Sequence, residues 1–100
     1  MVKGSRKRPH GSQLQLLGQL EELARSLNIV IRYENLKKEG PFTKGGLCKL
    51  KGEYLLIVDS KAPTSDQIQT LAESLVRFDL SKVYLKPGLR EFLERMEPHG

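Results

Sequence analysis

Residues 45–60, GGLCKLKGEYLLIVDS, decide the fold of this chain because they have the pattern of a β-hairpin. Two runs of strand-forming residues flank Lys51 and Gly52, and the glycine allows the positive φ that a tight two-residue hairpin turn requires. This turn sets the register of five cross-strand pairs: Leu50 with Glu53, Lys49 with Tyr54, Cys48 with Leu55, Leu47 with Leu56, and Gly46 with Ile57.

Side chains alternate between the two faces of a strand, so this register divides the hairpin into two faces. One face holds only apolar side chains: Cys48, Leu50, Leu55 and Ile57. The other face is mixed: Leu47, Lys49, Tyr54, Leu56 and Val58. We therefore expect helices to cover the first face, with Cys48 in the core as a small hydrophobic residue. Residues 54–58 are apolar on both faces, which predicts a central strand.

The sequence on either side of the hairpin predicts the remaining elements. Apolar residues recur at helical spacing in three further segments, whereas residues 29–34 alternate as a strand does. Residues 83–85 fit either a short strand or an extended link. We expect one α+β domain over residues 13–97: a small three-stranded, mainly antiparallel sheet (strands 29–34, 46–50 and 53–59) with two or three helices (13–27, 65–77 and 88–96) packed on one face.

The positive charge of the chain is concentrated in two segments. There are 17 Lys and Arg residues against 12 Asp and Glu, a net charge of +5. Residues 1–10 contribute four of these charges through Lys3, Arg6, Lys7 and Arg8. Because residues 1–12 have no hydrophobic face, we expect them to form a disordered basic arm. Residues 32–61 hold seven Lys or Arg against four acidic residues, a net charge of +3.

Basic side chains beside aromatic rings on a sheet are typical of surfaces that bind single-stranded nucleic acid. We therefore expect a non-enzymatic binding domain, with nucleic acid as the first partner to consider. The expected contacts are Lys3, Arg6, Lys7, Arg8, Arg32, Lys49, Lys51 and Tyr54. The alternative is a protein-interaction or homodimerisation module that docks through Leu47, Leu56 and Val58.

Groups that could support catalysis are sparse. Cys48 is the only cysteine, which excludes an internal disulfide and a cysteine-based metal cluster, and the two histidines, His10 and His99, lie near the chain ends. Asp59 is typical of a turn that follows a strand. A catalytic site around Asp59, Cys48 and Tyr54 is the least favoured interpretation, and we expect neither a cofactor nor a metal.

The location of the protein is suggested by the lengths of its apolar runs. A membrane-spanning helix needs about 20 consecutive apolar residues, and the longest apolar run here is residues 54–58. The basic start is not followed by the apolar stretch of a secretory signal. We therefore expect a cytoplasmic protein with no membrane partner.

Three stretches of the sequence resemble a group of short uncharacterised bacterial proteins: GGLCKLKGEYLLIVDS (residues 45–60), TLAESL (residues 70–75) and VYLKPGLREFLE (residues 83–94). This resemblance implies a bacterial domain and no particular activity. The layout is also similar to the ImmA/IrrE type of zinc peptidase, in which a hairpin strand leads into a helix that carries HExxH. Here the helix reads TLAESL and lacks the metal-binding histidines, so this similarity implies a non-catalytic remnant of a metallopeptidase-like fold.

Overall fold

A computed structural model describes residues 11–36 and 45–96 of the chain. The elements are α1 (Gly11–Ser26), β1 (Ile29–Glu34), β2 (Gly46–Leu50), β3 (Glu53–Asp59), α2 (Thr64–Leu75) and α3 (Pro87–Met96). The expected α+β fold is confirmed. Residues 83–85 form no strand: Val83 lies in a bend, and Tyr84 and Leu85 are irregular. In the described part of the chain, no helix is long and apolar enough to cross a membrane.

The start of α1 corrects the boundary of the expected basic arm. The sequence predicts an arm that reaches residue 12, but Gly11 and Ser12 belong to the first turn of α1. The four basic residues of the arm, Lys3, Arg6, Lys7 and Arg8, lie outside the described residues.

The sheet has the strand order β1-β3-β2, so β3 is the central strand as expected. β2 pairs antiparallel with β3 through the same five residue pairs that the turn predicts. β1 runs parallel to β3, with Ile29 beside Tyr54 and Glu34 beside Asp59. The sheet is therefore mixed and not mainly antiparallel. The hairpin turn reverses the chain between β2 and β3, so these two strands are antiparallel. β3 lies between β1 and β2 and runs in the same direction as β1.

Two tight connections have residues with positive φ. Lys51 and Gly52 form the β2–β3 turn with φ values of 54° and 83°, and positive φ at both central positions is the geometry of a type I′ hairpin turn. Asn28, with φ of 64°, ends α1 and leads into β1, since a left-handed residue commonly terminates a helix.

The hydrophobic core lies between the helices and the sheet face that carries Leu56 and Val58, both fully buried. Ile29 of β1 is buried beside them, and Leu47 packs against the same core. The helices contribute Leu20, Leu23, Ala24, Ile68, Leu71, Ala72, Leu75, Leu89 and Leu93. The expected docking surface of Leu47, Leu56 and Val58 is therefore wrong, because the helices cover it.

The prediction that helices cover Cys48, Leu50, Leu55 and Ile57 is also wrong. Cys48 and Leu50 are exposed, and Leu55 and Ile57 are only partly buried. The reason lies in β1, whose register places Arg32 and Glu34 on the same face as Leu55 and Ile57. Burying that face would desolvate two charged side chains, whereas Ile29 and Ile31 lie on the helix side.

Candidate interaction surfaces

The open face is the side of the sheet that no described helix covers. It consists of Val30, Arg32 and Glu34 on β1, Leu55 and Ile57 on β3, and Cys48 and Leu50 on β2. Val30 is 50% exposed and Leu50 is 59% exposed. Isolated apolar side chains are common on protein surfaces, but a contiguous set is less so.

The apolar side chains of the open face are contiguous across all three strands. Val30 pairs with Leu55, and Leu55 pairs with Cys48, so these three residues form one row across the sheet. The Sγ atom of Cys48 lies 3.5 Å from the carbonyl oxygen of Leu55. Ile57 extends the patch toward the end of β3, and Leu50 extends it toward the hairpin turn.

The β1 border of the open face carries an ion pair. A guanidinium nitrogen of Arg32 lies 2.8 Å from a carboxylate oxygen of Glu34. Because the two residues are on one strand and two positions apart, their side chains emerge on the same face. The pair neutralises itself, so Arg32 adds no free positive charge for a polyanion.

The hairpin end is formed by Lys49, Lys51, Gly52 and Tyr54. The Nζ atom of Lys49 lies 5.2 Å from the ring centroid of Tyr54, within the range of a cation–π contact. Lys51 is exposed in the turn. Tyr54 and Gly52 also line a surface depression with Arg25, which belongs to the last turn of α1.

The structure therefore separates the residues that were expected to bind nucleic acid. Lys49, Lys51 and Tyr54 lie together at the hairpin end, but the alternation along the strands places Arg32 and Lys49 on opposite faces of the sheet. The sequence prediction missed the open face as a surface. The available signal was the alternation in β1, where Val30 shares its face with the charged Arg32 and Glu34.

Asp59 has the structural role that its position at the end of a strand predicts. Its Oδ1 atom accepts a hydrogen bond from the backbone N–H of Lys61 at 3.0 Å. Its carbonyl oxygen accepts one from Nε2 of Gln67 at 2.9 Å, which joins the first turn of α2 to β3. Among the described residues, no group of three or more His, Cys, Asp or Glu side chains could hold a metal ion.

Tyr33 links β1 to α1 at the edge of the sheet. Its hydroxyl donates a hydrogen bond to the carboxylate of Glu21. Burial, followed by this hydrogen bond and the negative charge of Glu21, raises the pKa of Tyr33 well above its usual range. The contact joins α1 to the edge strand β1.

The chain matches no model of a known protein family, and comparisons with curated proteins and with solved structures give no match. Its function is therefore inferred from the open face and the hairpin end. The resemblances to short bacterial proteins and to zinc peptidases remain predictions.

Proposed function

We propose that this chain is a protein-interaction domain that receives an apolar surface of another polypeptide on its open face. The observation that carries the proposal is the exposure of Val30 and Leu50 on a face whose other apolar members, Cys48, Leu55 and Ile57, join them into one patch. Contiguous apolar patches bordered by polar residues are typical of protein-interaction sites.

Burial of this patch would contribute favourable free energy. Full burial of a Val or Leu side chain stabilises by about 1.5–3 kcal/mol. Val30 and Leu50 are already half-buried, so each retains about 1 kcal/mol that a partner could provide by removing the remaining surface from water. Because association itself costs about 4 kcal/mol or more, binding requires that several residues of the open face are covered together.

The charges on the open face favour a protein over a nucleic acid. Arg32 is the only cation among the residues that define this face, and its partner Glu34 neutralises it. Glu53, at the start of β3, adds another acidic side chain at the margin. Nucleic-acid affinity depends on cations that are free to neutralise phosphates, and the residues of the open face offer none.

Site-specific photo-crosslinking tests the proposal. We expect that a benzophenone amino acid incorporated at position 50 forms one discrete crosslink to another protein when the chain is expressed in its native cells. The matched control is position 14 on α1, because Leu14 is 51% exposed and lies outside the open face. Adding Val30→Lys should abolish the adduct at position 50. Equal adducts at positions 14 and 50, or none at 50, would contradict the proposal.

Nucleic-acid binding at the hairpin end is a second candidate function. It is favoured by Lys49 and Lys51, which have no ion-pair partner among the described residues, and by the aromatic ring of Tyr54 beside them. This surface is separate from the open face, so the two candidate functions can be tested independently.

A further inference from the structure

We infer that the partner joins the sheet as an added strand: an extended peptide with an acidic side chain opposite Lys49 pairs with the outer edge of β2. The inference rests on the proposed function, because it states how another polypeptide reaches the open face. In β-strand addition, backbone hydrogen bonds supply the affinity and alternate side chains supply the specificity. The edge of β2 offers unpaired backbone groups and, beside them, a groove for alternate side chains.

The backbone of β2 has unpaired groups along its outer edge. β2 borders β3 on one side and no described strand on the other. The residues that flank a two-residue hairpin turn form a hydrogen-bonded pair, and such pairs alternate along an antiparallel ladder. Leu50, Cys48 and Gly46 therefore direct their backbone groups toward β3. Leu47 and Lys49 direct their N–H and C=O groups outward, which is the template that an added strand requires.

The lysine on this edge is turned away from it. Edge strands are commonly protected by a charged side chain, most often a lysine. The Nζ atom of Lys49 lies 5.2 Å from the ring centroid of Tyr54, its cross-strand partner on β3. The side chain therefore lies over the sheet, and it does not shield the outward N–H and C=O groups of its own residue.

A groove of about 470 Å³ lies between this edge and α2. Most of its wall comes from the start of β2 and one flank of α2: Gly46, Leu47, Thr70, Glu73, Ser74 and Arg77. Leu47 lies on the helix side of the sheet. Because paired residues of neighbouring strands share a face, a peptide residue opposite Leu47 would direct its side chain toward this groove.

Charge selects an acidic side chain at the position opposite Lys49. Arg77 directly precedes Phe78, whose ring contacts Tyr54. Tyr54 in turn pairs with Lys49, so Arg77 and Lys49 lie near one level of the sheet, both on its helix side. Neither cation has an ion-pair partner among the described residues. A carboxylate between them would be the partner that both cations lack.

The position opposite Leu47 calls for a hydrogen-bond donor. The hydroxyl of Ser74 donates to the carbonyl oxygen of Thr70 at 2.9 Å, and the hydroxyl of Thr70 donates to that of Asp66 at 3.1 Å. Both hydroxyl oxygens can still accept a hydrogen bond. The carboxylate of Glu73 is a further acceptor in the same wall. A threonine in the added strand supplies the donor.

The alternate positions of the added strand continue the apolar row of the open face. A residue opposite Cys48 would place its side chain on that face, next to Cys48 and in line with Leu55 and Val30. Branched apolar residues suit this position because they also favour the extended conformation. The expected partner therefore alternates apolar residues with threonine and glutamate.

Fluorescence anisotropy with a labelled heptapeptide, Val-Thr-Val-Glu-Val-Thr-Val with blocked ends, tests the inference. Its sequence reads the same in both directions, so it fits either strand direction. Titration with the protein to about 0.5 mM should show saturable binding. The matched control, Val-Val-Thr-Glu-Thr-Val-Val, has the same composition and charge but exchanges valine and threonine between the two faces. We expect it to bind at least about tenfold more weakly.

Two substitutions of Lys49 separate backbone pairing from side-chain contacts. Lys49→Pro removes an outward N–H group and no bond to β3, and edge strands tolerate proline at such positions. This variant should lose peptide binding, whereas Lys49→Ala keeps the N–H group and should weaken binding by about fivefold or less. Urea denaturation confirms that both variants are folded.

Methylation of the peptide backbone tests the same hydrogen bonds from the other side. Successive N–H groups of a strand point to opposite edges. Methylation of the glutamate nitrogen or of the next valine nitrogen should therefore weaken binding by at least about tenfold at one position and less than about twofold at the other.

The acidic position is tested by a change of preference. The wild type should prefer the glutamate peptide over its glutamine analogue by about threefold to fivefold. Arg77→Glu should remove this preference. Arg90→Glu makes the same change of net charge at an exposed position on α3 and should retain it.

The outcomes separate the inference from the proposed function. Equal binding of the two heptapeptides, or equal effects of Lys49→Pro and Lys49→Ala, would overturn strand addition. A specific photo-adduct at position 50 without any peptide binding would also overturn it, but would leave the protein-interaction domain supported. Absence of both the peptide binding and the photo-adduct would overturn both.

Discussion

The rings of Tyr54 and Phe78 meet edge to face, with centroids 4.9 Å apart and an interplanar angle of 81°. Tyr54 is near the start of β3, and Phe78 follows the end of α2, so this contact holds the last part of the helical layer against the sheet. The geometry is one that aromatic pairs prefer. It also commits the ring of Tyr54 to packing, which leaves less of its surface for stacking on a base.

Replacing Phe78 by alanine is expected to lower the free energy of unfolding by about 2–3 kcal/mol. The expected loss is below that for a fully buried phenylalanine because Phe78 is only partly buried. Urea denaturation followed by circular dichroism measures the change. Tyr84→Ala is the control, because Tyr84 is 80% exposed and its removal should change the free energy by less than about 0.5 kcal/mol.

The hairpin was predictable because its register depends on local information. The two-residue turn at Lys51 and Gly52 fixes every β2–β3 pair, and the structure contains the same pairs. Which face becomes buried is not local. The middle of the hairpin presents Cys48, Leu50, Leu55 and Ile57 on one face and a mixed set on the other, and the first face looks like the better core.

The burial was decided by a strand distant in sequence. The parallel pairing of β1 aligns Ile29 with Tyr54 and Ile31 with Leu56, so the helix side gains two isoleucines while the other side gains Arg32 and Glu34. The grouping of Lys49 with Tyr54 followed from the hairpin register. The separation of Arg32 from this group could not be derived without the β1 register.

The hairpin turn provides a direct test of backbone conformation. Gly52→Ala should destabilise the protein by about 1–2 kcal/mol, because an L-residue at positive φ brings its Cβ close to a carbonyl oxygen. Gly52 has φ of 83°. Gly88→Ala is the matched control: Gly88 lies within α3, where an added Cβ meets none of the described atoms within 4 Å, so alanine should be neutral or stabilising by up to about 1 kcal/mol. Equal effects of the two substitutions in urea denaturation would contradict the type I′ turn.

Cys48 should react readily with a thiol reagent in the native state. The side chain is exposed on the open face. We expect the rate with a maleimide to lie within about tenfold of the rate in urea, and Cys48→Ser to change the free energy of unfolding by less than about 0.5 kcal/mol. Strong protection of the thiol at micromolar concentration would instead place Cys48 in the core.

Tyr33 predicts a loss of stability at alkaline pH. Burial and the hydrogen bond to Glu21 raise its pKa above the unfolded value of about 10. Below this value the phenol is protonated in both states; above it the unfolded chain releases the proton while the folded chain retains it. The free energy of unfolding should therefore decrease as the pH rises above about 10.

Tyr33→Phe separates this effect from the other groups that titrate at alkaline pH. The variant lacks the hydrogen bond to Glu21, so it should be less stable at neutral pH, but its stability should decrease less steeply above about pH 10. Urea denaturation of both proteins at several pH values measures the difference. An absorbance titration of the three tyrosines gives a second readout, because the step at highest pH should be missing in the variant. Identical slopes would show that Tyr33 is not perturbed in the folded protein.

If the hairpin end binds nucleic acid, Lys49 and Lys51 should contribute and Arg32 should not. Fluorescence titration with a single-stranded oligonucleotide at low salt should show weaker binding for the double variant Lys49→Ala, Lys51→Ala. Its log–log salt slope should be shallower by about 0.7 for each phosphate that the variant no longer neutralises. Arg32→Ala should leave the affinity unchanged, because Arg32 is paired with Glu34 and lies on the opposite face.

Two further variants locate the remaining charge contribution to this binding. Lys61→Ala is the matched control for a surface lysine, since Lys61 is exposed beyond the far end of β3. Deletion of residues 1–10 removes four basic residues and should reduce the slope by up to about 2.8 if all four contact phosphates. The absence of binding at tens of micromolar protein would exclude the nucleic-acid function. A defined site requires the cations near Tyr54 to contribute more to the affinity than a distant cation does. If the Lys61 variant loses as much affinity as the double variant of Lys49 and Lys51, the affinity reflects overall charge and not a defined site.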